Sequence, residues 1–307
     1  MQNKIKAIKT EIAKAVVGQE SMVDGLLIGL FCKGHILIEG VPGLAKTTTV
    51  KALSSALELD FHRVQFTPDL LPSDIIGAEI YDPQNNAFKI KKGPIFTQLL
   101  LADEINRSPS KVQSALLEAM QERQVTIGSE SFELPHPFMV MATQNPLEQE
   151  GVYRLPEAQL DRFMMKLEVT HNSEEEELEI MRRIATKSSQ TVSAMLSVEE
   201  LEAISEKINT LHIDMQVEKY IVSLVRATRE KNSQLRHGVS PRASIDLYKA
   251  ANAHAYMSGK SFVTPVDVLA MAYPVLRHRV GLSYEARAKG ILVDEVLKTV
   301  IESVEIP

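Results

Sequence analysis

Cysteine is almost absent from the chain: Cys32 is the single one among 307 residues. An intramolecular disulfide is therefore impossible, and so is a multi-cysteine zinc or iron–sulfur site, which excludes a disulfide-framework secreted protein. Tryptophan is missing and aromatic residues make up only 5%, which argues against tracking a nucleic-acid strand by base stacking. There is no basic excess either: 34 basic against 40 acidic side chains leave a net charge of −6. A non-specific nucleic-acid binder usually carries the opposite sign. The deficit is shared, −4 over residues 1–170 and −2 over 171–307, so neither half is a hidden basic clamp. The longest apolar run, around residues 26–32, falls far short of the ~20 residues a bilayer crossing needs. The N-terminus repeats Lys and Ile at helical spacing without an apolar signal core. These absences predict a cytoplasmic protein with no direct membrane insertion.

What is present is ordinary for a globular chain: 44% apolar and 24% charged residues, which excludes disorder. The length suggests about two domains, and the two halves do read differently. Between residues 35 and 170, strand-length apolar runs at 35–39, 61–66, 99–103, 138–143 and 165–169 alternate with helical patterns at 47–57 and 110–124. That alternation predicts an α/β domain with a mostly parallel central sheet. Two hairpin-like insertions interrupt it, 79–82 with 87–91 around a turn at 83–86, and 125–127 with 131–134 around Gly128.

From residue 172 strand signals fade. Ser173 followed by four glutamates, and Ser197-Val-Glu-Glu, read as helix starts. Further helices are expected at 217–228, 241–256, 265–276 and 284–300. The expected organisation is an α/β core over residues 1–170 and an all-helical domain over 171–307.

After the first strand comes Gly40-Val41-Pro42-Gly43-Leu44-Ala45-Lys46-Thr47-Thr48. This is the phosphate-loop pattern G-x-x-x-x-G-K-[ST] with Ala45 in place of the second glycine. Small residues let successive N–H groups curl around phosphates, and the following helix adds its positive dipole end. Lys46 can then reach the β- and γ-phosphates of ATP while the Thr47 hydroxyl ligates Mg²⁺. Ala45 requires a backbone conformation that alanine tolerates. The apolar run ending in Asp103-Glu104 supplies the partner motif. Asp103 would hold the metal through water, and Glu104 would orient and polarise the attacking water. Both motifs intact predict hydrolysis as well as binding.

At this point the sequence resembles the AAA+ ATPases, and within them the MoxR family. The blocks GVPGLAKT, RVQFTPDLLPSDIIG, LLLADEINRSP, QSALLEAMQERQVTIG, ATQNPLEQEG and LPEAQLDRF stand in that family's order. The resemblance covers residues 17–170 and reaches the second half through Val239-Ser-Pro-Arg242-Ala. It implies a P-loop AAA+ core with a C-terminal helical lid, and an alanine at position 45 is usual there. It also implies that Asn145 is sensor 1, positioning water beside the γ-phosphate. Arg162 resembles the arginine finger reaching the adjacent subunit, with Arg107 and Arg154 as rivals for that role. Arg242 resembles sensor 2, lying over the phosphates from the lid, and Val17 and Gly18 match the segment bordering adenine.

A finger supplied in trans leaves the monomer's site incomplete, so a homo-oligomeric ring, a hexamer, is implied. The hairpins at 78–90 and 125–134 resemble the helix-2 insert and the pre-sensor-1 hairpin. The family's function is chaperone-like: remodelling or maturing a client protein complex, including metal-cofactor insertion, with partners bearing von Willebrand factor A domains. A nucleic-acid motor of the same helix-2-insert clade is the alternative that the acidic balance opposes. A regulatory nucleotide switch with little turnover is opposed by the intact Asp103 and Glu104. Among the remaining residues, His278 reads as surface or interface, Cys32 as buried and inert. Arg229, Lys231 and Arg236 in the basic segment 226–242 read as solvated helix and loop.

Overall fold

The computed structural model describes residues 2–146, 153–186, 191–230 and 234–307. Lys231 and the last five residues of the ATQNPLEQEG block lie outside them. Five short apolar runs become the strands of one sheet: β1 (Ile36–Glu39), β2 (Phe61–Gln65), β5 (Leu99–Asp103), β8 (Met139–Gln144) and β9 (Met165–Glu168). Their order is β2-β5-β8-β1-β9, and every pairing is parallel. Both faces of β5 and β8 are buried, as near-continuous apolar strands covered by helices require.

Helices α1 (Gln2–Ala13), α2 (Glu20–Phe31) and α3 (Lys46–Ala56) precede and follow β1, and α4 (Pro72–Ile76) leads into the first insertion. That insertion is the antiparallel pair β3 (Gly77–Asp82) and β4 (Ala87–Lys92). Helix α5 (Ser110–Glu122) is followed by the second, β6 (Gln124–Ile127) and β7 (Glu130–Glu133). The two are in contact: Lys92 Nζ lies 4.6 Å from the Phe96 ring centre and 4.9 Å from that of Phe132.

A short helix α6 (Glu157–Leu160) precedes β9. Beyond it come α7 (Glu174–Ala185), α8 (Val198–Asn209) and α9 (Met215–Ala227), then α10 (Arg242–Met257) and α11 (Pro265–Leu276). Helices α12 (Tyr284–Ala288) and α13 (Val293–Glu302) end the order. Both expected serine caps form: Ser173 Oγ accepts the Glu176 N–H, and Ser197 Oγ accepts the Glu200 N–H. The sheet face, α1 and α2 share one apolar core with α8–α11, with Leu26, Leu27, Leu247 and Ala250 fully buried.

Two expectations for the second half need correction. It is not all-helical: β10 (Leu235–His237) pairs antiparallel with β11 (Gly281–Leu282), elements too short to leave a period-2 signature. The helix expected at 284–300 is broken after Ala288, where Gly290 takes φ +71°. There the Ile291 N–H donates back to Ala286 O (3.1 Å) and the Gly290 N–H to Arg287 O (3.0 Å), closing the helix end. No helix among the described residues is long and apolar enough to cross a membrane.

Candidate active site

Parallel strands put all their C-terminal ends on one edge, where the loop after β1 faces the ends of β2, β5 and β8. A cavity of about 370 Å³ opens there, lined by Pro42–Thr48 and by Arg63, Gln65, Asp103, Glu104 and Asn145. Its floor is built for anions. The first helical bond of α3 runs from the Thr49 N–H to Ala45 O (2.8 Å), leaving the Lys46, Thr47 and Thr48 N–H groups without helical acceptors. A Cβ at Gly43 (φ +90°) would meet nothing within 4 Å, so the loop backbone there borders open space. Lys46 Nζ donates to Gly40 O (2.6 Å). Burial pushes its ammonium below the ordinary lysine value, opposed by the Asp103, Glu104 and Glu39 carboxylates.

Ala45 departs from the expected easy conformation. Its φ of 54° and ψ of 17° are left-handed, the region where Cβ crowds the following carbonyl. The loop therefore forces on alanine the geometry that the motif's glycine accepts freely. At Gly40 a Cβ would sit 2.8 Å from Val169 O, so close packing of the loop base against the β9 end excludes any side chain.

The two carboxylates at the end of β5 are organised by residues that the motif reading did not single out. Thr143, buried on β8, donates its hydroxyl to Asp103 Oδ1 (2.6 Å) and accepts the Glu104 N–H (2.8 Å). Glu104 itself has φ 56°, which turns it off the strand. Arg63 Nε and Nη2 reach Asp103 Oδ2 at 2.9 and 2.6 Å. Gln65 Nε2 donates to Glu104 Oε2 at 2.7 Å, and Arg107 Nη1 at 3.1 Å. The available signal was alternation: Arg63 and Gln65 point the same way from a strand adjacent to Asp103. Asn145 is buried at the cavity wall. A thiol-free set of Thr47 hydroxyl and two carboxylates is hard-oxygen chemistry and fits Mg²⁺.

The remaining predicted residues lie elsewhere. Val17 O accepts from Asn172 Nδ2 (3.0 Å), and Gly18 borders a separate cavity with Val16, Glu20 and Val23. Arg107 pairs with Glu104 of its own chain, and Arg154 is exposed. Arg162 donates to Leu117 O (2.8 Å) and lines a second cavity of about 330 Å³. Arg242 lines this same second cavity and not the phosphate-loop cavity of its own chain.

Topology explains this placement. Lys33, Gly34 and His35 of this cavity precede β1, so it sits at the N-terminal edge of the sheet, opposite the phosphate loop. Packing of α10 against α2 and α8 fixes Arg242 there. Arg123, Arg162, Arg242 and Lys249 line it together with Asp161 and Asp246. His278 is buried rather than superficial, its Nε2 donating to Phe163 O (2.9 Å). Cys32 is partly covered, and burial pushes its thiol up to about 12, so it stays protonated.

Comparison with known proteins bears directly on this arrangement. A family model described as ATPase family associated with various cellular activities (AAA) matches residues 35–165, and an AAA lid domain matches residues 226–300. The chain is 45% identical over 305 residues to Chaperone MoxR1 of Mycobacterium tuberculosis, covering 97% of this chain and 81% of that protein. It is 30% identical over 315 residues to Protein MoxR of Paracoccus denitrificans, covering 93% and 92%. A crystal structure of a candidate ATPase from Cytophaga hutchinsonii superposes with a TM-score of 0.94 at 49% identity, covering 100% of this chain and 96% of that one. Full-length similarity at this level carries the phosphate loop, the Asp103-Glu104 strand end and the helical second half as one unit, and the chain belongs to the MoxR family of AAA+ ATPases.

Proposed function

We propose that this ATPase works as a Mg²⁺-dependent, head-to-tail homo-oligomeric ring, a hexamer, that uses ATP turnover to remodel a client protein complex. The observation that carries the reading is the separation of two cavities that share no lining residue among the described residues. The loop cavity has the phosphate cradle, Asp103, Glu104 and Asn145, while Arg162 and Arg242 sit at the opposite sheet edge. Charge that spreads over a γ-phosphate during hydrolysis is best met by a cation placed there. A neighbour's Arg162 and Arg242 supply it, and each chain's site is completed by the next.

In this reading Gly40 to Thr48 cradle the phosphates, with Lys46 on the β- and γ-phosphates and Val17 and Gly18 toward the base. Thr47 and Asp103 would hold Mg²⁺, which would neutralise phosphate charge. Glu104 orients and polarises the attacking water, and Asn145 fixes that water's position. Gln65 and Arg107 hold the Glu104 carboxylate in place before nucleotide arrives. Residues 1–170 form the nucleotide-binding core and 171–307 the lid, whose angle to the core changes with nucleotide. Relatives named as a chaperone and as MoxR proteins support a client-protein role. A von Willebrand factor A domain partner and metal-cofactor insertion complete the proposal, in the cytoplasm.

The test is the Glu104→Gln protein with ATP. It is expected to retain ATP, form a stable ring on a sizing column with light scattering, and co-purify a protein client. Failure of this variant to bind ATP, or absence of turnover by the wild type in every oligomeric state, refutes the reading. Recovery of nucleic acid in place of protein overturns the client assignment.

A further inference from the structure

Residues 157–163 carry Arg162, yet several of their anchors come from the second half of the chain. Glu157 pairs with Arg236 and, at 2.8 Å, with His237 Nε2. The Asp161 carboxylate accepts the Ser240 hydroxyl at 2.9 Å and lies 3.2 Å from Arg279 Nε. Phe163 O accepts from Arg279 Nη2 (2.7 Å) as well as from His278. Arg279 is the centre of this set, with a side chain only 1% exposed.

The same Nη2 reaches Asp246 Oδ2 at 2.5 Å. Asp246 stands one helical turn beyond Arg242 on α10, so its position is tied to that of Arg242. Burial holds the Asp246 carboxyl above the usual carboxylate value, against the opposing pull of the Arg279 guanidinium. Ser240 adds a second tie, its Oγ also accepting the Arg242 N–H (3.2 Å). One buried guanidinium thus joins the residue before Arg162 to the residue a turn after Arg242.

We propose that Arg279 is a positioning residue that locks Arg162 and Arg242 into one rigid pair presented to the neighbouring subunit. The proposal rests on reading those two arginines as cations supplied in trans. The guanidinium bonds Phe163 O and Asp246 through Nη2 and keeps Nε in ion-pair range of Asp161, a spread that the point charge of a lysine cannot cover. Long arginine side chains held loosely forfeit the placement that transition-state stabilisation requires, and an ångström of error costs about a hundredfold. Because the ties run from the segment carrying Arg162 to the helix carrying Arg242, they hold the two cations at one spacing.

Subunit mixing separates this role from a merely structural one. Arg279→Lys is expected to bind a fluorescent ATP analogue within about twofold of wild type, since its own phosphate loop is untouched, while turnover falls about tenfold or more. Mixing it with Lys46→Ala, which has a dead site but intact arginines, restores turnover. Random mixing places an intact loop beside an intact arginine pair at about a quarter of sites. The Arg162→Ala and Lys46→Ala mixture sets the reference level.

Retained turnover in Arg279→Lys, lost nucleotide binding, or no recovery on mixing while the reference recovers overturns the proposal. No recovery in the reference mixture refutes the trans reading itself, and the proposal with it. Should Arg279→Lys lack the wild-type circular dichroism melt, Ser240→Ala carries the test, with a loss of about threefold that mixing must restore. Absence of that loss, or its persistence on mixing, overturns the proposal equally.

Discussion

His35 is placed so that only its neutral form fits. It precedes β1, with Nε2 3.1 Å from Met120 O and Nδ1 accepting the Val140 N–H at 3.0 Å. A donor on one nitrogen and an acceptor on the other fixes the tautomer, and a second ring proton would face the Val140 N–H directly. Burial, the largest cause, with a smaller push from Arg123, lowers its pKa from 6.5 to about 4. The unfolded chain therefore takes up a proton in the window where the folded chain refuses it. Stability from this residue is whole above about pH 7 and drains as pH falls from 6.5 toward 4, after which it changes no further.

At 1.36 kcal/mol per unit the whole shift is worth about 3 kcal/mol, of which about 2 is lost between pH 7 and 5. His278, buried and lowered in the same direction, adds to the slope. Urea unfolding of the wild type and His35→Gln at pH 7 and pH 5 isolates the His35 share, because glutamine can keep both hydrogen bonds without titrating. The wild type is expected to lose about 2 kcal/mol more than the variant over that interval. Equal losses in the two proteins, or an imidazole that titrates near pH 6.5 by NMR, would refute the argument.

Three further outcomes follow from particular contacts. Ala45→Gly relieves a left-handed alanine, so its stability should match or exceed wild type by up to about 1 kcal/mol, whereas Ala52→Gly inside α3 should cost about 1 kcal/mol or more; a melting temperature lowered equally by both contradicts the strain assignment. Arg63→Gln removes a half-exposed partner of Asp103, and Mg²⁺-dependent binding of fluorescent ADP should tighten about two- to fivefold, as an exposed ion pair permits; weaker binding means that Arg63 serves the phosphates instead. Asp267 is fully buried on α11 and accepts from Lys260 Nζ at 2.8 and 2.9 Å and from the Thr264 hydroxyl at 2.6 Å. Asp267→Ala should destabilise the second half by about 3–5 kcal/mol, read as early loss of hydrogen-exchange protection in α10 and α11.

The core was legible because its strands are buried on both faces and so spell uninterrupted apolar runs; β5 begins and ends where the run 99–103 does. Helix starts in the second half were legible through local chemistry, since Ser173 and Ser197 bond their own third residues. What depends on distant partners was not. The placement of Arg242 is set by α10 against α2 and α8, and no residue near position 242 encodes that packing. His278 sits between two arginines, which reads as surface, yet Arg279 is buried by pairing with Asp161 and Asp246. Thr143 looked like the end of a strand, and only the β5–β8 neighbourhood gives its hydroxyl two carboxylate-bearing residues to organise.

The polarity of β1 joins these observations. Its N-terminal end meets the cavity of Lys33, Arg162 and Arg242, and its C-terminal end opens into the phosphate loop. Four residues of strand span about 13 Å, so a side chain on one edge cannot serve the other within one chain. In the proposed ring, a head-to-tail contact would bring the N-terminal edge of one copy against the C-terminal edge of the next, and repetition of such a contact closes a ring when the rotation allows. Among the described residues, five basic side chains against two acidic ones line the arginine cavity, in a chain whose net charge is −6. Such a local reversal suits a surface that meets phosphate and not one that meets solvent. Under this arrangement damage at Arg162 or Arg242 is felt in the neighbour's turnover while the damaged chain still binds nucleotide, which is why subunit mixing, rather than single-variant kinetics, assigns each residue to its site.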